Sequence, residues 1–328
     1  MRTPSRPALR RPRRLVTALL TAVALVAVAG VAACGGDADA AGGDSERPLR
    51  IGYQRFGGLS LVKARDAAPD VQWSLFESGP ALTEALKAGS IDIGQVGEAP
   101  PVFAAAGKIP FAVIGTSQPV PQGEAVLVKA DSPYRSFADL RGRTVALNKG
   151  SNVHWLLVKL LAANKMTLAD INVKYLKPAE GRPAFDNGQV DAWIIWDPYF
   201  ALAEQPGVRV LADATGLTGN REYVLASPAA VRDRTDDVRA FLRTYRQTTD
   251  WGIAHPSERA RVLAPELKIP LDVTTRALAR SAKPLAPVTP AIGAELQAIA
   301  DSFVALKLVP GPVDIAGRVD DRFATEFQ

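Results

Sequence analysis

The chain is poor in the side chains that most often carry chemistry. Of its 328 residues one is cysteine, Cys34, and two are histidine, His154 and His255. A single cysteine excludes an internal disulfide and a thiolate cluster, and two isolated histidines make zinc chemistry improbable. No serine stands in a nucleophile elbow, and no Walker or Rossmann phosphate loop is present. Usable positive charge is also missing. Lys and Arg number 39 against 34 Asp and Glu, but six of the Arg and no acid precede Cys34. The rest carries 33 basic against 34 acidic side chains, so the basic pI argues for no nucleic-acid partner.

What is present begins with a targeting segment. Arg2, Arg6, Arg10, Arg11, Arg13 and Arg14 precede an apolar stretch from Leu15 to Val31. Then come Val31-Ala32-Ala33-Cys34 and the polar run GGDADAAGGDSER. Small residues before Cys34 resemble the lipobox of bacterial lipoproteins. The resemblance implies a signal peptide over 1–33, a lipid on the Cys34 sulfur and a flexible tether over 34–47. A membrane span is the alternative, although about 17 apolar residues is borderline for that. Arg13-Arg14 is a poor match to a twin-arginine signal, and the export route stays open.

The body of the chain repeats itself. GSIDIGQVGE at 89–98 and GQVDAWIIWD at 188–197 place Gly89, Asp92 and Glu98 in register with Gly188, Asp191 and Asp197, 99 positions later. Each copy follows a helix-like run and ends in a carboxylate near proline. The preceding strands match too: Leu49–Gln54 leads into Arg55 and a Gly-rich turn, and Thr144–Asn148 into Lys149-Gly150-Ser151. Two similar α/β lobes that present loops at strand ends predict a cleft between them. Two short apolar segments, Ala125–Val128 and Tyr223–Ser227, read as crossings between lobes. Lobe 1 then takes 48–126 and 226–328, and lobe 2 takes 127–225. Helices are expected around 233–253, 257–265, 272–281 and 290–307. Two crossings make a hinge.

Four places could touch a ligand. Gly150, Ser151, Asn152 and Val153 open the run Trp155–Ala163, so free N–H groups and the helix dipole form an anion site without a formal cation. Plain capping by Ser151 or Asn152 is compatible with that role. Gln54 with Phe56, Gly57 and Gly58 occupies the equivalent point of the first half, where an ordinary strand-to-helix turn is the alternative. Glu98 and Asp197 as a catalytic pair would suggest a glycosidase. Beside proline they read first as helix caps, with ligand contact by Asp197 second. Trp196, nearest its strand end, suits an organic group, and Trp193 suits the core. His154 reads as a packing or hydrogen-bonding residue.

IGYQ at 51–54, AGSIDIGQVGEAPPVFA at 88–104, NKGSNVHWLL at 148–157, NGQVDAWIIWDPY at 187–199 and LVPGPVDI at 308–315 together resemble the aliphatic sulfonate-binding proteins of ABC transporters. The resemblance covers essentially everything after the tether. The wider group includes binders of taurine, nitrate and thiamine-precursor pyrimidines. The resemblance implies an α/β, two-lobed periplasmic-binding-protein-like fold with two hinge crossings and a ligand cleft. It implies capture of a small organic anion, an alkanesulfonate, for permease and ATPase subunits in sulfur acquisition. The protein would be a monomer on the extracytoplasmic face of a bacterial membrane, anchored through Cys34, with no cofactor or metal. The sulfonate would be held by the turns at 54–58 and 150–152, beside Gly97-Glu98 and Trp196-Asp197. Asn152-Val153 and Glu98 depart from the group's usual serines and Asp, which bears on the ligand. An enzyme on the same fold, or a surface sensor, is the reading from a different class.

Overall fold

A computed structural model describes residues 47–281 and 283–328; the signal segment, Cys34 and all of the tether but Arg47 lie outside the described residues. The first half runs β1 (Leu49–Gln54), α1 (Gly58–Ala64), β2 (Val71–Phe76), α2 (Gly79–Lys87), β3 (Ile93–Val96), α3 (Ala99–Ala106) and β4 (Ala112–Ser117). The middle runs β5 (Glu124–Lys129), β6 (Thr144–Leu147), α4 (Asn152–Ala163), β7 (Asn172–Tyr175), α5 (Pro178–Asp186), β8 (Ala192–Trp196), α6 (Tyr199–Ala203) and β9 (Val208–Asp213). After β10 (Tyr223–Ala226) come α7 (Pro228–Asp233), α8 (Thr235–Ala254), α9 (Pro256–Leu267), α10 (Leu271–Ala279), β11 (Leu285–Ala286) and α11 (Pro290–Ala305).

The strands form two sheets, ordered β11-β4-β10-β3-β1-β2 and β7-β6-β8-β5-β9. Each is covered on both faces, which is why the interior strands read as unbroken apolar runs. Around the first sheet, α2, α3 and α11 bury Leu82, Val102, Leu296 and Phe303 on one face. On the other face α1 and α8 bring Leu59, Val62 and Phe241 against Ile51 and Ile93. In the second sheet α4 packs Val153, Leu157 and Leu160 on Leu147 and Ile194. Trp193 is core, beside Phe185 and Phe200.

The repeat has a structural meaning. Gly89 and Gly188 have φ of +66° and +69° just after α2 and α5, the left-handed exit that lets a helix turn back into a strand. Asp92 accepts the Arg50 N–H at 2.9 Å, and Asp191 accepts the Thr144 N–H at 2.9 Å. Each Asp thus pins the strand that runs parallel beside its own, β1 beside β3 and β6 beside β8.

The passages between sheets differ from the expected ones. Ala125–Val128 lies inside β5, paired with both β8 and β9. Residues 223–226 form β10, paired with both β3 and β4. The expected lobe limits at 126/127 and 225/226 therefore fall within strands. The chain passes from one sheet to the other through 118–123 and returns through 214–222. The two apolar segments are interior strands with two neighbours each, and burial on both faces explains their composition. The polar and Pro/Gly-rich stretches do the crossing. They run side by side: the Val120 N–H donates to the Gly219 carbonyl at 2.9 Å and Asn220 Nδ2 to the Val120 carbonyl at 2.9 Å.

Candidate ligand-binding site

The parallel strands of both sheets point their C-terminal ends at the same place, where the helices after them begin. A cavity of about 50 Å³ lies there. Gln54, Phe56, Gly97, Ser151, Asn152, Trp196 and Asp197 line it together. Four predicted residues stand elsewhere. Gly57 and Gly58 back onto a second, smaller chamber. Gly150 donates its N–H to His154 Nδ1 at 3.2 Å. Glu98 lines a separate groove with Trp155 and Gly219.

The polar side chains expected to reach a ligand already serve the protein. Gln54 Nε2 donates to the Gln95 carbonyl at 3.0 Å, and Ser151 Oγ to the Asn148 carbonyl at 2.7 Å. Asn152 Nδ2 donates to Asn220 Oδ1 at 3.0 Å. The backbone at Gly97 lies so close to the Asn152 amide that a side chain there would collide with it. What stays free is backbone. The amides of Asn152 and Val153, in the first turn of α4, have no acceptor among the described residues. The N-termini of α2 and α3 also reach the cavity wall, through Gly79 and Pro100.

Sequence reasoning missed the cations. Lys283, after α10, is buried on the cavity wall and donates from Nζ to the Asn220 carbonyl at 2.6 Å. Arg280 also lines the cavity. Its Nε and Nη2 meet Asp197 Oδ2 and Oδ1 at 2.9 and 3.1 Å. Its Nη1 and Nη2 meet Glu204 at 3.0 and 2.7 Å. Paired with two carboxylates, Arg280 ties α10 to the end of β8 and to α6, and so links structure around both sheets. No local pattern marks either cation, because both sit in a segment far along the chain from most of the strands they serve.

The two equivalent carboxylates do different work. Asp197 Oδ1 accepts the Ala201 N–H at 3.0 Å, which caps α6, and burial pushes its pKa up to about 6 while Arg280 opposes the shift. Glu98 is not the expected cap: its side chain makes no bond to the α3 amides. Pro100 and Pro101 remove two first-turn donors, and the carboxylate turns instead to the Arg221 N–H at 3.1 Å. Beyond it lies Glu124, which no motif marked. Glu98 Oε2 and Glu124 Oε1 are buried without a hydrogen-bond partner among the described residues. Burial pushes Glu98 up to about 7 and Glu124 up to about 8, the latter also repelled by Glu98.

His154 is a neutral packing residue. Burial, then the Lys149 ammonium, lowers its pKa to about 4, and its ring stacks on Phe103 at 5.6 Å. With Nδ1 accepting from Gly150, it presents no base to the cavity.

The family model described as NMT1/THI5 like matches residues 75–259. An aliphatic sulfonates-binding protein of Escherichia coli (strain K12) is 36% identical over 285 residues, 84% of this chain and 89% of that protein. The crystal structure of the periplasmic aliphatic sulphonate binding protein SsuA from Escherichia coli matches with TM-score 0.76 and 36% identity, covering 84% of this chain and 92% of that one. The alkanesulfonate-binding protein SsuA from Xanthomonas axonopodis pv. citri, bound to MOPS, matches with TM-score 0.80 and 35% identity over 84% of this chain and 99% of that one.

Proposed function

The chain belongs to the NMT1/THI5-like family, and on that premise we propose that it is an extracytoplasmic binding lipoprotein that captures aliphatic sulfonates for an ABC permease and ATPase. The observation that carries the reading is the donor set of the cavity. The free amide of Asn152 and the Lys283 ammonium both stand on the cavity lining, while the Arg280 charge is already balanced by Asp197 and Glu204. A sulfonate is a permanent monoanion with three weak acceptor oxygens. It suits fixed N–H donors and one modestly shared cation better than it suits a dense cluster of positive charge. About 50 Å³ holds roughly three to five water-sized groups, the size of a sulfonate head with a short tail.

Ligand contacts in this reading come from the Asn152 amide and Lys283, with Ser151, Gln54 and Gly97 shaping the site and Trp196 against the tail. Gly57, Gly58, Gly150 and Glu98 support the walls. The protein releases its ligand unchanged, since His154 is sealed in packing and the Ser151 hydroxyl is spent on the Asn148 carbonyl. A lipid on Cys34 holds it at the membrane, and the passages at 118–123 and 214–222 let the lobes close.

The test is calorimetric titration of the mature chain with alkanesulfonates, taurine, sulfate, nitrate and a hydroxymethyl-pyrimidine. Binding of a sulfonate at roughly micromolar Kd or tighter, with sulfate ignored, supports the reading. Silence across the sulfonates removes it. Sulfonate buffers must be avoided, because a similar protein holds MOPS.

A further inference from the structure

A second chamber lies directly behind the turn at 56–58. It shares Phe56, Glu222, Ser281 and Lys283 with the wall of the main cavity. Its far side is built by Tyr245 and Thr249 of α8 and Arg259 of α9. Tyr245 is fully buried, and Thr249 and Arg259 are 9% exposed. Tyr245 Oη, Thr249 Oγ1 and Arg259 Nε have no hydrogen-bond partner among the described residues. Among the described residues, the Arg259 guanidinium otherwise makes a long bond from Nη2 to the Ser281 carbonyl, 3.4 Å, and is attracted by the Glu222 carboxylate. Buried donors left without acceptors are costly, and a buried guanidinium most of all.

The chemistry of the lining selects its occupant. It offers a guanidinium N–H, two hydroxyls and the Lys283 ammonium, against a single carboxylate, Glu222. Burial holds the Tyr245 phenol protonated, its pKa raised well above the ordinary value, so it remains a donor. Such a set accepts an anionic acceptor group and disfavours a cation. The volume, about 20 Å³, exceeds the roughly 10–15 Å³ that one water-sized group needs, so it admits a small terminal group, and the donor-rich lining disfavours an alkyl one. The Tyr245 hydroxyl lies against the backbone of Gly58, so the turn that lines the cavity is also the chamber's roof.

We propose that this chamber is a specificity subsite for a carboxylate at the far end of a short sulfonate, and that sulfocarboxylates are preferred over plain alkanesulfonates. The inference rests on the sulfonate reading of the main cavity. In the bound state the sulfonate lies at the α4 amides and Lys283, the carbon chain passes Phe56, and the carboxylate meets Tyr245, Thr249 and Arg259.

Calorimetric titration of the full mature chain with 3-sulfopropionate, sulfoacetate, propane-1-sulfonate and ethanesulfonate tests it. The expected result is an affinity for a sulfocarboxylate at least about tenfold above that for the alkanesulfonate of matching length. In Tyr245→Phe, Thr249→Val and Arg259→Gln that ratio falls toward one. The first two keep the side-chain shape and carry the test even if the Arg259 variant fails to fold. Equal affinities in the parent chain, or variants that weaken both ligand classes equally, overturn the subsite and leave the sulfonate reading intact. Absence of binding by every sulfonate overturns both.

Discussion

Replacing Glu124 by glutamine tests the electrostatics of the passages directly. Glu124 opens β5 and is fully buried; among the described residues the Thr218 hydroxyl stands 3.5 Å from Oε2, and the Asn152 side chain adds a weak favourable contact. Lys283 favours its ionised form, but burial and the neighbouring Glu98 outweigh that and push the pKa up to about 8. A carboxylate raised in the folded state binds its proton more tightly than in the unfolded chain. Stability from this group is therefore greatest below about pH 4.5, declines as pH rises from 4.5 to 8, and is level above that. At about 1.4 kcal/mol for each tenfold change in proton binding, the gap between 4.5 and about 8 corresponds to roughly 4 to 5 kcal/mol. Glu98 titrates over an overlapping range, and a proton on either group relieves the other, so the two losses sum to less than their separate values. The amide of the Glu124→Gln variant is neutral at every pH and nearly the same shape as the carboxyl it replaces. Urea unfolding in phosphate or Tris should show the parent chain losing about 3 kcal/mol relative to Glu124→Gln between pH 5 and pH 8.5, with the variant the more stable at the upper end. Parallel stability curves for the two proteins across that range would refute the argument.

Other expectations follow from the same geometry. Asn152→Pro fits the extended backbone at Ser151 (φ −91°, ψ 176°) and deletes one free amide. Its ligand affinity should fall below that of Asn152→Ala by roughly tenfold or more, and equal affinities would remove that amide from the site. Gly97→Ala forces the Asn152 amide away from Asn220; a weaker ligand Kd together with a lowered melting temperature is the expected signature in calorimetry and thermal scans. Trp196 lines the cavity while Trp193 is sealed in the core, so ligand addition should shift a fluorescence signal that Trp196→Phe abolishes.

The regular elements were largely legible. β1 and β6 fall on the two strands expected at Leu49–Gln54 and Thr144–Asn148, and the four C-terminal helices lie within a few residues of their expected ranges. The repeated Gly and Asp were legible because each carries a local duty: a left-handed turn and a clamp on the next strand. The crossings were not, since an isolated apolar segment looks the same whether it spans lobes or sits between two strands of a sheet. The start of α4 on the cavity wall was legible, because a helix start after a strand is a local pattern. Lys283, Arg280, Glu124 and the Tyr245–Arg259 chamber had no such pattern. Their roles arise from contacts between segments far apart in the chain, and nothing in their neighbours announces them. The Glu98 cap failed for a local reason, the two prolines that leave α3 few amides to cap.

The position of β10 also orders how the molecule can be assembled. Among the described residues it is the strand that joins β3 to β4 in the first sheet, and it arrives after the whole of the second sheet has been made. A chain emerging from its N-terminus therefore holds β3 and β4 with bare edges, the kind of surface that invites wrong partners, while residues 124–213 close their sheet without help. The half that begins the polypeptide is the half completed last. Any delay at residues 214–226, in the ribosome or at a translocation pore, leaves one finished sheet attached to one still waiting for its central strand.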